Sequence, residues 1–229
     1  MARDKKIVRR QPERGRYDRA SIDAVLDAGL VAHVAFVDSE QPYCIPMMYA
    51  RIDDAVFIHG STASRAVRLL ATGTPACLTV TLVDGLVLAR SAFEHSANYR
   101  SAVLVGSFRA VVDQEAKRRV FEAFTNKLIP GRWTEVRQPN EKELKSSMIL
   151  EMPIDEAAVK VRTGPPSDDD SPDAELPTWA GVVPLMTNFG APEPSPGLAS
   201  GIPLADSVRK LSARAAPGPR SSGDVPSSH

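Results

Sequence analysis

Between residues 31 and 162, short apolar runs follow one another with turn residues between them and little room for helices. Residues 31–37 form one run, Asp38-Ser39-Glu40-Gln41 a turn, 43–52 the next run, Asp53-Asp54 a turn, and 56–59 a third run. Runs 76–83 and 86–91 are joined by Asp84-Gly85, a pair that favours a tight hairpin because glycine tolerates positive φ. Runs 103–112, 148–152 and 157–162 complete the series. A parallel sheet would need a helix at nearly every crossover. Helical periodicity is confined to 21–30, 62–71, 114–128 and 141–146. Six or seven strands with short connections predict a mainly β protein, a closed antiparallel barrel with short flanking helices. Pro46 inside the second run predicts an edge or a bulge at that point.

Composition narrows the function classes. Lys+Arg 28 balance Asp+Glu 28, so no global charge draws the chain to nucleic acid or to acidic membranes. Basic residues near the start (Lys5, Lys6, Arg9, Arg10, Arg14, Arg16) have no aromatics interleaved, and residues 1–17 read as a mobile arm. No apolar run approaches the roughly 20 residues of a membrane span, and the first residues lack a signal-peptide core, so a cytoplasmic protein is expected. Cys44 and Cys77 lie in apolar runs and read as buried free thiols; His33, in another, reads as a core residue. The four histidines do not fall at metal-ligand spacing, and no metal is expected. Residues 18–163 read as the barrel domain and 164–188 as a Pro/Asp-rich extension carrying the apolar island 178–184. Residues 189–229 read as a disordered tail, apart from a short helix over 204–214; twelve of the 19 prolines lie beyond residue 163. Trp179, isolated in that extension, is expected to dock.

Three segments carry chemistry. In 56–65 an apolar strand runs into His59-Gly60-Ser61-Thr62-Ala63-Ser64-Arg65. Gly60 permits close backbone approach, Ser61, Thr62 and Ser64 offer hydroxyls at a helix start, and Arg65 adds a forked charged donor. That is one way to seat a phosphate, and an ordinary helix cap is the other reading. In 93–106, Ser96, Asn98, Tyr99, Arg100 and Ser101 precede a long apolar strand, as a polar loop or a grip on a polar ligand. In 160–166, Lys160 and Arg162 fall on one side of a strand.

With Pro130-Gly131-Arg132 and Trp179-Ala180-Gly181-Val182-Val183-Pro184, these segments resemble the flavin-nucleotide-binding proteins related to pyridoxamine 5′-phosphate oxidase, including the Nim-type nitroimidazole-resistance reductases. The resemblance spans roughly residues 12 to 187. It implies an FMN-binding split β-barrel, Greek-key-like, acting as a homodimer with flavin at the interface. It implies that Ser64 and Arg65 hold the FMN phosphate beside His59, Gly60 and Ser61. Pro46, Met47, Met48 and Tyr49 would run along the flavin ring and present backbone groups to it. Ser96, Tyr99, Arg100 and Ser101 would approach from a facing strand or the partner, and Trp179 would cover the flavin or close the interface. His59 would either hydrogen-bond the cofactor or pass protons to it. Ala66 stands where pyridoxamine phosphate oxidases proper commonly carry a lysine, and their C-terminal arginine set is not recognisable, which argues against pyridoxamine phosphate as substrate.

The implied function is an FMN-dependent oxidoreductase that passes electrons between a small-molecule donor and acceptor. A non-enzymatic flavin-binding module stays open. So does haem binding, with His95 or Tyr99 as axial ligand, and so does use of the deazaflavin F420.

Overall fold

A computed structural model of the chain describes residues 7–213. It has ten strands: β1 (Gly15–Arg16), β2 (Val31–Asp38), β3 (Gln41–Ile52), β4 (Ala55–Ser61), β5 (Pro75–Leu88), β6 (Ser96–Ser107), β7 (Arg109–Val111), β8 (Ser147–Pro153), β9 (Ala157–Arg162) and β10 (Gly181–Pro184). Five helices accompany them: α1 (Arg19–Ala28), α2 (Arg65–Leu70), α3 (Gln114–Leu128), α4 (Glu141–Ser146) and α5 (Asp206–Ala213). The strands follow the order β1-β9-β6-β5-β2-β3-β4-β8-β7, with β10 added to β5. Every pairing is antiparallel. Only Phe108 separates β6 from β7, so the pairing of β7 with β8 returns the sheet to β6 and closes a barrel. The expected mainly β barrel is the fold, with more strands than the sequence suggested.

Alternation fills the interior. Val34, Leu78 and Leu104 stand opposite one another on β2, β5 and β6 and are buried in one cluster with Val56, Ile58, Leu150 and Val159. A smaller core lies outside the barrel wall, where Val120 and Phe124 of α3 meet Ala50, Phe57 and Ile149. Among the described residues no helix is long and apolar enough to cross a membrane.

Several expectations need correction. Asp84-Gly85 is not a hairpin: β5 runs through it with a register shift between Val83 and Gly85. The strand continues because two neighbours pair with the residues beyond the shift, β6 on one side and β10 on the other. The reversal comes later, through a 3-10 turn at Ala92–Glu94. Residues 96–101 are therefore strand and not loop. His33 is exposed, because Ala32, Val34 and Phe36 take the inward positions of β2. Cys44 and Cys77 are free, as expected, yet Cys44 is exposed and Cys77 half-buried. Pro46 does sit at an edge: β3 pairs with β2 over residues 41–48 and with β4 only over 49–52.

The N-terminal segment is laid against the barrel, Gly15 and Arg16 pairing with Lys160 and Val159 of β9. Lys5 and Lys6 lie outside the described residues. In the tail, α5 falls within the expected 204–214 helix, and Ser207 donates from N and Oγ to Glu135; Arg214 lies outside the described residues. Residues 189–205 carry no helix or strand.

Gly29 ends α1, its N–H bonded to Val25 O. A Cβ there would stand 2.3 Å from Val80 Cγ1 and 2.9 Å from the Tyr49 hydroxyl. Gly→Ala in an ordinary allowed conformation stabilises by about 0.4–1 kcal/mol. Here the added methyl meets a close-packed core, so Gly29→Ala is expected to destabilise by about 2–3 kcal/mol. A urea midpoint lower than wild type at unchanged m-value checks this.

Candidate functional site

The ladder between β3 and β4 stops at Tyr49 opposite Ile58. Beyond that point the two strands part. β3 continues towards Gln41 beside β2, and β4 continues through His59, Gly60 and Ser61 beside β8. Pro46, Met47 and Met48 thus face His59, Gly60 and Ser61 across a split with no ladder between them. Each lip is a strand edge whose peptide groups lack sheet partners on that side, and such groups seek hydrogen bonds elsewhere. The structure brings together the first two sets of residues that the sequence nominated. Tyr49 is the exception: its side chain is fully buried and its hydroxyl donates to Leu26 O, so only its backbone is available to a ligand.

Helix α2 closes the wide end of the split. A Cβ on Gly60 would lie 2.8 Å from Val67 Cγ2, so the missing side chain is what lets α2 sit on the end of β4. Ser64 caps α2, its Oγ accepting from Val67 N at 3.4 Å, and Ser61 Oγ accepts from Ala63 N at 3.1 Å. Arg65 reaches across to the other lip. Its guanidinium lies 5.0 Å from the Tyr43 ring centre and 3.5 Å from an Asp38 carboxylate oxygen. Its side chain stays 67% exposed, so most of its donors face outward.

His59 points away from the barrel interior, under α3. Its ring stands edge-on to Phe124 at 4.5 Å and tilted to Phe121 at 5.7 Å. Its Nδ1 is buried without a hydrogen-bond partner among the described residues. Burial pushes its pKa below the ordinary 6.5, so the imidazole is neutral at pH 7. Below pH 6.5 the unfolded chain binds a proton at this residue that the folded chain refuses. Stability is therefore lost as pH falls through and below 6.5, by less than about 1.4 kcal/mol per pH unit. His59→Phe is expected to flatten that slope in urea titrations between pH 5 and 7.

The second cluster lies elsewhere. Ser96, Tyr99, Arg100 and Ser101 belong to the half of β6 that pairs with β5 residues 81–87, whereas β2 meets β5 only at 76–79. Along one side of the barrel β5, β2 and β3 stand between β6 and β4. On the closing side it is the other end of β6, at Ser107, that leads through β7 to β8 and β4. The ladders therefore do not bring this cluster to the split. Arg100 is paired with Asp84 through bonds of 2.6 and 2.9 Å, which hold that carboxyl below its usual range. Trp179 is close to this cluster along the ladders, since Gly181 pairs with Leu88 and Ser96 with Val87. It packs over Gly181 and remains 66% exposed. His95 is exposed, with Nδ1 2.9 Å from Ser91 O.

A feature the sequence reading missed joins these parts. On the outer side of the sheet, Pro46, His33, Thr79, Val103 and Ala158 stand opposite one another across five strands. Beside that row run Cys44, Ala35, Cys77 and Val105. Val31, Val37, Met48 and Val103 are exposed on this face. The signal was present in the alternation of β2, of β3 and of residues 102–106 of β6, where both sets of alternate residues are largely apolar.

The family model for pyridoxamine 5′-phosphate oxidase matches residues 18–161, which takes in the barrel, the split and the second cluster. The chain belongs to that family. No curated protein sequence matches it, but solved structures do. The flavocytochrome Anf3 from Azotobacter vinelandii is 38% identical, with TM-score 0.85, over 91% of this chain and 96% of that one. The FAD and heme binding protein from Mycobacterium smegmatis is 42% identical, with TM-score 0.82, over 86% and 97% of the two chains. A candidate 5-nitroimidazole antibiotic resistance protein from Bacteroides thetaiotaomicron shares 20% identity and the fold, with TM-score 0.53, over 64% of this chain and 86% of that one. Within this family frame the split fits a flavin nucleotide: it offers an outward guanidinium for phosphate and two unladdered backbone edges for the ring's polar groups.

Proposed function

We propose that the chain is a flavin-dependent redox protein that works as a homodimer and also carries a haem. The observation that carries this reading is the parting of β3 from β4 with Arg65 spanning its mouth. Its support from outside is the pair of relatives above 35% identity, one a flavocytochrome and one a FAD and heme binding protein. The nucleotide is FAD in this reading, following the second relative, with FMN the narrower expectation from sequence.

In this reading Arg65 and Ser64 hold the phosphate nearest the ribityl chain, and the backbone of 46–48 and 59–61 orients the ring. The flavin itself supplies the electron chemistry. His59, neutral at pH 7, would act there as a proton acceptor, becoming imidazolium until it passes the proton on. The exposed apolar face meets a second copy, since soluble monomers rarely leave such a contiguous face in water. The partner's Ser96–Ser101 strand and Trp179 segment then complete a site that one chain leaves open. Electrons pass to a small-molecule acceptor.

For the haem, two imidazoles could supply an axial bond. His95 presents Nε2 outward, because Ser91 O holds Nδ1, the orientation a backbone carbonyl commonly gives a metal-ligating histidine. His59 has one nitrogen walled in by phenyl rings, leaving the other for a ligand. Mass analysis of the nucleotide released by heat, with a haem assay on the same sample, tests the reading. FAD and haem are expected; a sample with neither contradicts it. Loss of haem in His95→Ala or in His59→Ala names the ligand.

A further inference from the structure

Arg162 is a charged side chain only 6% exposed, and among the described residues no carboxylate meets it. Its three acceptors are neutral oxygens: Asn98 Oδ1 at 2.5 Å, Gly164 O at 3.4 Å and Pro165 O at 3.1 Å. Isolated buried charge is costly, and proteins ordinarily answer it with an opposite charge. Here the surroundings add charge of the same sign. Arg162 lines a polar pocket of about 220 Å³ together with Arg14, Arg16, Thr163 and Ser167. Burial and the nearby Arg14 both push the Arg162 pKa down. The acid at this pocket is Glu13, 3.7 Å from Arg14 Nε and mostly exposed. Arg16 spends its Nη1 on the carbonyls of Glu13 and Gly15, which pins it at the rim.

We propose that the pocket of Arg14, Arg16 and Arg162 is a seat for a phosphate-class oxyanion, separate from Ser64 and Arg65. Three guanidiniums against one rim carboxylate leave the pocket positive, and two neighbouring hydroxyls, Thr163 and Ser167, suit the oxygens of a tetrahedral anion. A volume of about 220 Å³ is enough for a phosphoryl group. The pocket assembles from the N-terminal segment, β9 and the loop after it. Pairing of β1 with β9 is what carries Arg14 and Arg16 to Arg162. The basic start of the chain thus gains a local role that its sequence alone did not suggest.

Calorimetric titration of inorganic phosphate into the purified full chain, at ionic strength matched with sodium chloride, tests this. Saturable binding is expected, weakened at least about tenfold in an Arg14→Ala, Arg16→Ala double variant, whose changes lie near the surface and spare the barrel core. Arg162→Lys keeps the charge, loses the fork and is expected to bind about tenfold more weakly. Binding with any cofactor fully retained identifies a free phosphate-class ligand; binding that expels a flavin identifies the nucleotide's own phosphate. Both support the seat. Heats no different from chloride, or a double variant that binds like wild type, overturn it.

Discussion

Val103→Glu is expected to yield a folded monomer that retains little flavin. Val103 is 37% exposed, and its position opposite Thr79 and Ala158 puts the side chain on the outer face, away from the barrel core. The substitution therefore leaves Leu104 and Ala102, its inward neighbours, undisturbed, and far-UV circular dichroism should not change. In the proposed dimer the face is self-complementary, so each copy would bury a carboxylate in an apolar seam, where the cation lining the same pocket, Lys160, is already engaged by Arg10 O. Such a buried unpaired charge costs about 3–5 kcal/mol, which weakens association at least about a hundredfold. Sedimentation velocity at micromolar concentration reads this directly. Because Ser96–Ser101 and Trp179 do not reach the split of their own chain, flavin content should fall with the dimer. A stable dimer in this variant would move the interface elsewhere on the molecule.

Arg65→Ala is expected to weaken flavin binding about ten- to a hundredfold with no loss of stability. A hydrogen bond to a charged group contributes about 1.5–3 kcal/mol, and a phosphate held by an outward guanidinium loses that share when it is removed. The folded chain gives up little in exchange. Among the described residues Arg65 makes an ion pair with Asp38 at 3.5 Å and a cation–π contact with Tyr43, both at the surface, and such exposed contacts contribute about 0–1 kcal/mol each. The separation of the two effects is what makes the variant informative: an unchanged melting temperature of the flavin-free protein beside a weaker flavin dissociation constant. Arg65→Lys should recover part of the affinity, since it restores the charge and not the fork.

Much of the fold was legible because it rests on local signals. The turns at Asp38–Gln41 and Asp53-Asp54 are hairpins as read, α3 and α4 span the predicted residues, and Pro46 marks a real edge. The failures share one physical origin. Asp84-Gly85 has the local chemistry of a hairpin, and only the non-local pairing with β10 keeps β5 straight through it. His33, Cys44 and Cys77 sit in apolar runs, which look the same whether a strand's second face meets a core or a partner. Tyr49 is assigned to the flavin by the family resemblance through its backbone alone, and the inward position on β3 and the hydrogen bond to Leu26 O that commit its side chain to the interior leave that assignment as it stands. For the site, the residues of the split were legible as a motif. The split barrel was implied by the family resemblance, but the point at which β3 and β4 part was not legible, because it depends on where a ladder stops.

The visible absorption spectrum of the purified wild-type protein, taken beside that of Arg65→Ala, is the most direct test. The expected wild-type spectrum shows the two flavin bands together with an intense haem band, and the Arg65→Ala sample, after the same dialysis, keeps the haem band and loses flavin absorbance. A colourless wild type, or an Arg65→Ala protein that holds its flavin as tightly as wild type, would contradict a flavin seated at the parting of β3 and β4.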